Sequence, residues 1–340
     1  MAAFGLDISS HSMKAMQLEK RGDNFALLAA GVAATPVKGL DSEIESDIVK
    51  VAEAVKKLLA DTKIVTKEVN ISLPESKVFS RLIRLPLLTD QEIAAAISWQ
   101  AEPYIPIPIA DASIDYQIVR RFEAAGGKSG GVEVLLVAAP KTLIAKYAKL
   151  ADILGLTIAS VETELLALAR SLAPAKQTVL VADMGGISTD MAIIRSGQLA
   201  VSRSVPTGGN VFTRAVSTGL SVNASRAEEY KKSYGLASDQ LEGKVRASLE
   251  PVLRVIVDEM NKTIQYYKTD LGENDPVSAA IVSGGTANMN HLTSFLAEKL
   301  GIEVLIGDPF ANVVKSEALA KNLLPVAPLY GVVVGLAQNI

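Results

Sequence analysis

No cysteine occurs among the 340 residues, which excludes disulfides and thiolate-held metals. Only two histidines are present, His11 and His291, far apart in sequence, so a zinc site has little to be built from. Any metal is expected to be hard and bound with a nucleotide. Aromatic residues are scarce at 5%, and the apolar share of 49% therefore describes a core of Ala, Val, Leu and Ile. No apolar run approaches the roughly 20 residues that cross a bilayer. The opening segment Met1–Ser10 lacks the basic and long apolar parts of a secretory signal, so a cytoplasmic location is expected. The formal net charge of -3, with Lys and Arg scattered, leaves no basic stripe for a phosphate backbone, and nucleic acid is not an expected partner.

The chain does contain a repeat. Ala3–Lys14 runs through Asp7, Ser9, Ser10, His11 and Ser12, continues as KAMQLEK, turns at 21–24 and resumes as FALLAAGVAAT. Beginning 176 residues after the first, Val179–Thr189 runs through Asp183, Gly185, Gly186 and Ser188, continues as DMAIIR, turns at 196–198 and resumes as LAVSRSVPTGG. Each copy reads as three antiparallel strands joined by tight turns. Helical periodicity follows each: over 43–60, with Ile44, Ile48, Val51, Val55, Leu58 and Leu59 on one face and Asp41 or Ser42 as N-cap, and over 209–219, 224–234 and 239–270, with a break near Gly235. A fourth strand closes each half, at 67–73 and 279–283.

The chain is long for one core. We expect a first half at 1–74 plus 159–178, an insertion at 75–158, and a second half at 179–340. The insertion carries strands VFSRLIRLP, SIDYQIVRR and VEVLLVAAP, with helices near 89–102 and 140–154. Its turn Glu123–Gly131 has no apolar residue larger than Ala and reads as a mobile hairpin loop.

A Gly/Ser loop between strands offers N–H groups and hydroxyls to phosphate. One such loop is usually only a turn; two in duplicated contexts point to a shared phosphate site. Asp7 and Asp183 end apolar strands, and two carboxylates facing one cleft would hold Mg²⁺ through water. Lys14 can neutralise phosphate charge. A third element, Ser283-Gly284-Gly285-Thr286, precedes a helix expected near Met289–Leu300 and suits an adenosine and α-phosphate.

Asp7–Lys14, Asp183–Thr189 and Ser283–Thr286 resemble the phosphate-1, phosphate-2 and adenosine motifs of the actin, sugar kinase and chaperone ATPase superfamily, in order along the whole chain. The resemblance implies an α/β actin-like ATPase fold of two duplicated ribonuclease-H-like halves, with the insertion as an α+β, SHS2-like subdomain 1C. Trp99–Pro108, Asp115–Val119 and Gly307–Phe310 resemble signatures of the PilM family of type IV pilus assembly proteins. That family implies ATP or ADP with Mg²⁺, a groove for the cytoplasmic tail of the membrane protein PilN, a peripheral place at the inner face of the cytoplasmic membrane, self-assembly into rings, and contact with the pilus motor. Ser9 stands where the family usually has Gly.

Several readings stay open. Gly208 and Gly209 either contact nucleotide or permit a strand-to-helix turn. Glu228, Lys231 and Lys232 fall on a helix that either flanks the adenine and ribose or presents a solvated face, and only Lys231 and Glu228 share a face. Trp99, Tyr104, Ile105 and Ile107 either hold a partner peptide or, for Trp99, join Ile93 and Ile97 in the core. His11 reads as an exposed loop residue, and His291 as structural. The Gly331–Ala337 segment reads as a tightly packed small-residue helix at the hinge. No residue stands out as a water-activating base, so slow ATP turnover at most is expected. The alternatives are an FtsA-like cell division protein, whose C-terminal amphipathic membrane helix is not seen here, and a small-molecule kinase.

Overall fold

The computed structural model describes residues 2–340 except 43, 124–129, 270, 272–274, 316–320 and 322. Strands β1 (Phe4–Ile8), β2 (Ser12–Arg21) and β3 (Asn24–Ala34) form an antiparallel meander that turns at Gly22, whose φ is +62°. Helix α1 (Glu45–Thr62) buries Val51, Val55 and Leu58. It begins two residues later than expected and neither Asp41 nor Ser42 caps it. The Ser42 hydroxyl instead donates to Asp47 and accepts from the Ile44 N–H. Strand β4 (Glu68–Leu73) then lies parallel to β1.

In the insertion, β5 (Phe79–Pro86), β6 (Ala112–Phe122) and β7 (Gly131–Pro140) form an antiparallel sheet with β7 in the middle. Helix α2 (Asp90–Ala101) starts in a capping box of Thr89 and Glu92. Ile93, Ile97 and Ala101 recur every four residues and face inward, which leaves Trp99 on the opposite side, 78% exposed. Most of the loop expected at 123–131 lies outside the described residues. Helix α3 (Lys141–Leu154) and strand β8 (Thr157–Thr163) follow, β8 pairing parallel with β4. The expected border at 158 falls inside β8, and α3 buries Leu143, Tyr147 and Leu150 in the α1 core. Both elements therefore pack with the first half: β8 joins its sheet beside β4, and α3 lies on the long connection that this parallel pairing requires.

Helix α4 (Glu164–Leu172) leads to the second meander, β9 (Thr178–Met184), β10 (Thr189–Arg195) and β11 (Gln198–Val205). Its turn has positive φ at both Ser196 and Gly197, the geometry a two-residue hairpin needs. Helices α5 (Gly209–Leu220), α6 (Ala224–Tyr234) and α7 (Lys244–Thr269) come next, α7 starting after a 3-10 turn at Leu241–Gly243 rather than at 239. Strand β12 (Ala279–Ser283) lies parallel to β9, and after helix α8 (Leu292–Leu300) strand β13 (Glu303–Ile306) completes this sheet. The chain then crosses back: β14 (Val313–Val314) pairs with β3, and α9 (Gly331–Ala337) packs against α4, β1 and β2. A Cβ on Gly335 would lie 1.9 Å from the Ala167 carbonyl, so the small residues of α9 let two helix backbones touch.

The three sheets have strand orders β14-β3-β2-β1-β4-β8, β11-β10-β9-β12-β13 and β5-β7-β6. The insertion is tied to the second half through Glu133 on β7. This fully buried carboxylate takes Arg84 and Arg120 from its own sheet and Arg195 from β10, at 2.9, 2.6 and 2.6 Å. Burial alone would push it up, but the guanidiniums of Arg120, Arg195 and Arg84 pull it down to about 2.

Candidate functional site

The two meander loops face each other. In the first, Asp7 and Lys14 sit opposite across β1 and β2 and form a buried ion pair of 2.8 Å. Burial lowers the Lys14 ammonium, but the charges of Asp7, Asp183 and Glu164 outweigh it and hold the pKa above the ordinary value. Ser9 closes this loop: its N–H and hydroxyl donate to the Ser12 carbonyl at 3.1 and 2.9 Å, and its own carbonyl accepts from Thr35 Oγ1 at 2.7 Å. A glycine could not make the hydroxyl bond, which is what Ser9 adds.

In the second loop the matching cross-strand pair is Asp183 and Asp190, two like charges. Burial first, and then the charge of Asp190, raise Asp183 to about 7. Ser188 Oγ donates to Asp190 Oδ2 at 2.7 Å, while Asp190 Oδ1 and Asp7 Oδ1 are buried with no hydrogen-bond partner among the described residues. The Gly185 and Gly186 carbonyls accept from the N–H groups of Gly209 and Asn210, both at 2.9 Å, at the start of α5. Gly208 is required there, since a Cβ would come within 2.7 Å of the Gly185 carbonyl. Its role in this structure is the strand-to-helix turn.

Between the loops lies a polar pocket of about 100 Å³, lined by Ser9, Ser10, Gly185, Gly186, Ser188 and Asp183 among the expected residues. Asp190, Glu164, Ser76 and Tyr147 line it as well, beyond the residues expected. Asp190 does carry a signal in the sequence, because it occupies in the second copy the place of Lys14 in the first. Glu164 follows the N-cap Thr163 and reads from sequence as an ordinary first-turn acid. Tertiary packing turns it towards Asp7, Asp190 and Asp183, and burial together with those charges holds its pKa well above the carboxylate range. Glu75, buried beside the pocket with Oε2 unpartnered, is pushed up to about 7 by burial and by Asp190. His11 is exposed at the tip of the first loop and bonds Ser10 Oγ through Nδ1 at 2.8 Å. A Cβ on Gly186 would lie 2.5 Å from that Nδ1, so the imidazole rests on the second loop.

Other expected residues point elsewhere. Thr189 Oγ1 donates to the Thr207 carbonyl at 2.7 Å, and Ser283 Oγ to the Pro328 carbonyl at 2.9 Å. Gly284, at φ +87°, lies against Asp183, where a Cβ would be 2.5 Å from Oδ1. The Thr286 N–H donates to the Met184 carbonyl at 3.1 Å. Helix α8 starts only at Leu292, with His291 as its left-handed N-cap, so the glycines do not form its first turn. Lys231 Nζ is spent on Glu228 at 2.6 Å, Thr213 at 2.9 Å and the Gly209 carbonyl at 3.1 Å. Burial raises Glu228, but Lys231 and Thr213 outweigh it and bring it to about 2. Of the four partner residues, Tyr104 lines a cavity beside β5, Trp99 is exposed, Ile105 is buried and Ile107 is partly buried in the insertion core.

No group of three or more His, Cys, Asp or Glu side chains among the described residues forms a metal cage. The unpartnered oxygens of Asp7 and Asp190, with Asp183, instead fit a cation that brings water and phosphate oxygens as its remaining ligands.

A family model described as type IV pilus assembly protein PilM matches residues 5–339. The cell division protein FtsA of Streptococcus pneumoniae is 24% identical, covering 93% of this chain and 77% of that protein. FtsA of Neisseria meningitidis is 25% identical over 89% of this chain and 83% of its own. A PilM-PilN type IV pilus biogenesis complex superposes with a TM-score of 0.85 at 24% identity, over 99% of this chain and 98% of that one. MreB 5 of Spiroplasma citri bound to AMPPNP gives 0.56 at 15% identity, over 98% and 95%. The fold is that of the actin-like ATPases.

Proposed function

Because this chain belongs to the family of the type IV pilus assembly protein PilM, we propose that it is the nucleotide-binding component of a pilus or related secretion assembly platform, held at the inner face of the cytoplasmic membrane by a PilN-like partner. The observation that supports the nucleotide reading is the pairing of two duplicated loops across one polar pocket. ATP or ADP with Mg²⁺ is the ligand the two loops would take once parted. Asp7, Asp183 and Asp190 would hold the cation. The loop hydroxyls of Ser9, Ser10 and Ser188 and the backbone of Gly185 and Gly186 would meet the phosphates. The magnesium would neutralise phosphate charge and the paired carboxylates together.

The pocket holds only a few waters at liquid density, so nucleotide entry parts the loops and lifts the His11 ring from Gly186. That opening turns about α9 and α4, which pack between the halves. Nucleotide thus acts through the angle between the halves. Slow turnover is expected, because burial and the charges of Asp7, Asp190 and Asp183 raise Glu164, a carboxyl lining the pocket, and so disfavour the ionised form a base needs.

Calorimetry of the full chain with Mg-ATP checks this, with Asp183→Asn as control. Micromolar or tighter binding that weakens at least tenfold in the variant is expected, with turnover well under the roughly 1–100 per second of kinases. Absence of binding in the unsubstituted chain would sink the nucleotide reading. In this reading the insertion would take the tail of the membrane partner, and the motor ATPase and further copies of the chain would be additional contacts. The FtsA relatives favour a second reading in cell division; deletion that abolishes pili and leaves division intact decides against it.

A further inference from the structure

Helix α7 runs for 26 residues and buries one face, Val245, Leu249, Leu253, Ile256 and Met260, in the core of the second half. Its opposite face is apolar too at the middle: Ala247, Pro251 and Val255 recur every four residues and are all exposed, Val255 by 48%. A solvated helix face is ordinarily polar. The charges on its flank are spent within the helix, since Arg246 and Arg254 both turn to Glu250, at 3.8 and 3.2 Å. A charge stands at each end of the apolar stripe, Lys244 before Ala247 and Asp258 after Val255, both exposed and of opposite sign. Asp258 makes no ion pair among the described residues, because Lys262 is turned to Glu259 at 2.6 Å.

Beside the stripe an open groove of about 600 Å³ runs between α7 and α5, with Val211, Ala215, Ala247 and Pro251 in its walls and Arg214 and Lys244 as its cations. No carboxylate lines it among the described residues. The groove thus has an apolar bed for a helix ridge and positive charge with which an acidic side chain on that ridge would pair.

We propose that a second copy of this chain covers this face, the two α7 helices lying antiparallel about a two-fold axis at Pro251. A two-fold contact must match itself when turned end for end, and the stripe does. Ala247 lies as far before Pro251 as Val255 lies after it, and Lys244 as far before it as Asp258 after it. Antiparallel pairing therefore sets Val255 of the partner subunit beside the small Ala247 at the groove, and Asp258 of the partner subunit beside Lys244. A foreign helix would need the same reversed order of charges; a copy carries it already. The stripe from 244 to 258 is about 21 Å long, a contact at the small end of specific interfaces, so the dimer should be concentration-dependent. Both helices belong to the second half, which leaves α4 and α9, about which the halves turn, outside the contact. The inference rests on the reading above that copies of the chain meet, and adds to it the face, the symmetry and the register.

The test uses the full chain, in which the lack of cysteine makes a single introduced thiol informative. Pro251→Cys should give a disulfide-linked dimer on mild oxidation, because a residue on the axis meets its own copy within reach of a disulfide. Glu53→Cys, exposed on α1, should not. Sedimentation equilibrium of the unsubstituted chain from about 1 to 300 μM should show a reversible dimer. Val255→Glu should weaken it at least tenfold without moving the melting temperature. Asp258→Lys should weaken it as well, and Lys244→Glu added to Asp258→Lys should restore it. A dimer that ignores all of these substitutions overturns this face and leaves contact between copies standing. A chain that stays monomeric over the whole range, with Pro251→Cys uncrosslinked, overturns both.

Discussion

The two meander loops descend from one pattern and carry opposite electrostatics. Position 14 of the first copy is a lysine and the matching position 190 of the second is an aspartate, each facing across the hairpin the aspartate that ends the preceding strand. The first pair neutralises itself, Lys14 on Asp7 at 2.8 Å. The second repels, and Asp183 is raised to about 7 as burial and Asp190 disfavour its charge. Opposite charges directly across a hairpin stabilise it and like charges do the reverse. The second loop therefore holds a repulsion that a bound cation would remove, whereas the first is neutralised by its own lysine and leaves only Asp7 Oδ1 unpartnered among the described residues.

The largest effect should come from breaking the first pair. Lys14→Ala leaves Asp7 buried and unpaired and should cost about 3–5 kcal/mol, read by chemical denaturation; a loss under about 1 kcal/mol would mean that the pair is hydrated. Next comes the element shared by both halves. Gly335→Ala drives a Cβ into the Ala167 backbone at 1.9 Å, and overpacking of this kind costs roughly 1–3 kcal/mol, visible as a lower melting temperature with or without nucleotide.

The second pair should show itself in pH. Asp183 and Glu75 titrate near 7 in the fold, against 3.8 and 4.5 for the free groups. Their folded values lie above the unfolded ones, so the stability they contribute is full below about pH 4 and is lost as pH rises through 7. The ligand-free chain should melt at a lower temperature at pH 8 than at pH 5. Asp190→Asn should flatten that slope, by on the order of 1 kcal/mol, and Mg-ATP should flatten it in the unsubstituted chain. A slope that Asp190→Asn leaves untouched would assign the titration to other carboxyls.

The smallest effect is expected at Ser9. Ser9→Gly removes one hydroxyl bond to the Ser12 carbonyl and frees the loop, at about 1 kcal/mol or less. Nucleotide affinity should change less than threefold, because the backbone closure through the Ser9 N–H remains.

Much of this contrast between the loops is legible in the amino-acid order. The duplication, both meanders, the existence of the closing strands and the tight α9 follow from local pattern, since strand alternation, turn residues and glycine spacing are written in neighbouring positions. Trp99 stays between core and surface on sequence grounds because its neighbours Ile93 and Ile97 are apolar, and only the helix face that packs on the insertion sheet resolves it. Glu228 and Lys231 share a helix face in the sequence as expected, but their partner Thr213 comes from a different helix.

Local pattern suffices for the two loops and their aspartates, because each depends on contacts within a hairpin. Long-range packing was needed to bring Glu164 and Glu75 to the pocket, to carry β14 back across to close one sheet edge, and to set β11 against β5. Those outcomes depend on residues tens to hundreds of positions apart meeting in a dry interior, where burial sets the charge of a carboxyl and topology sets which strand finds a neighbour.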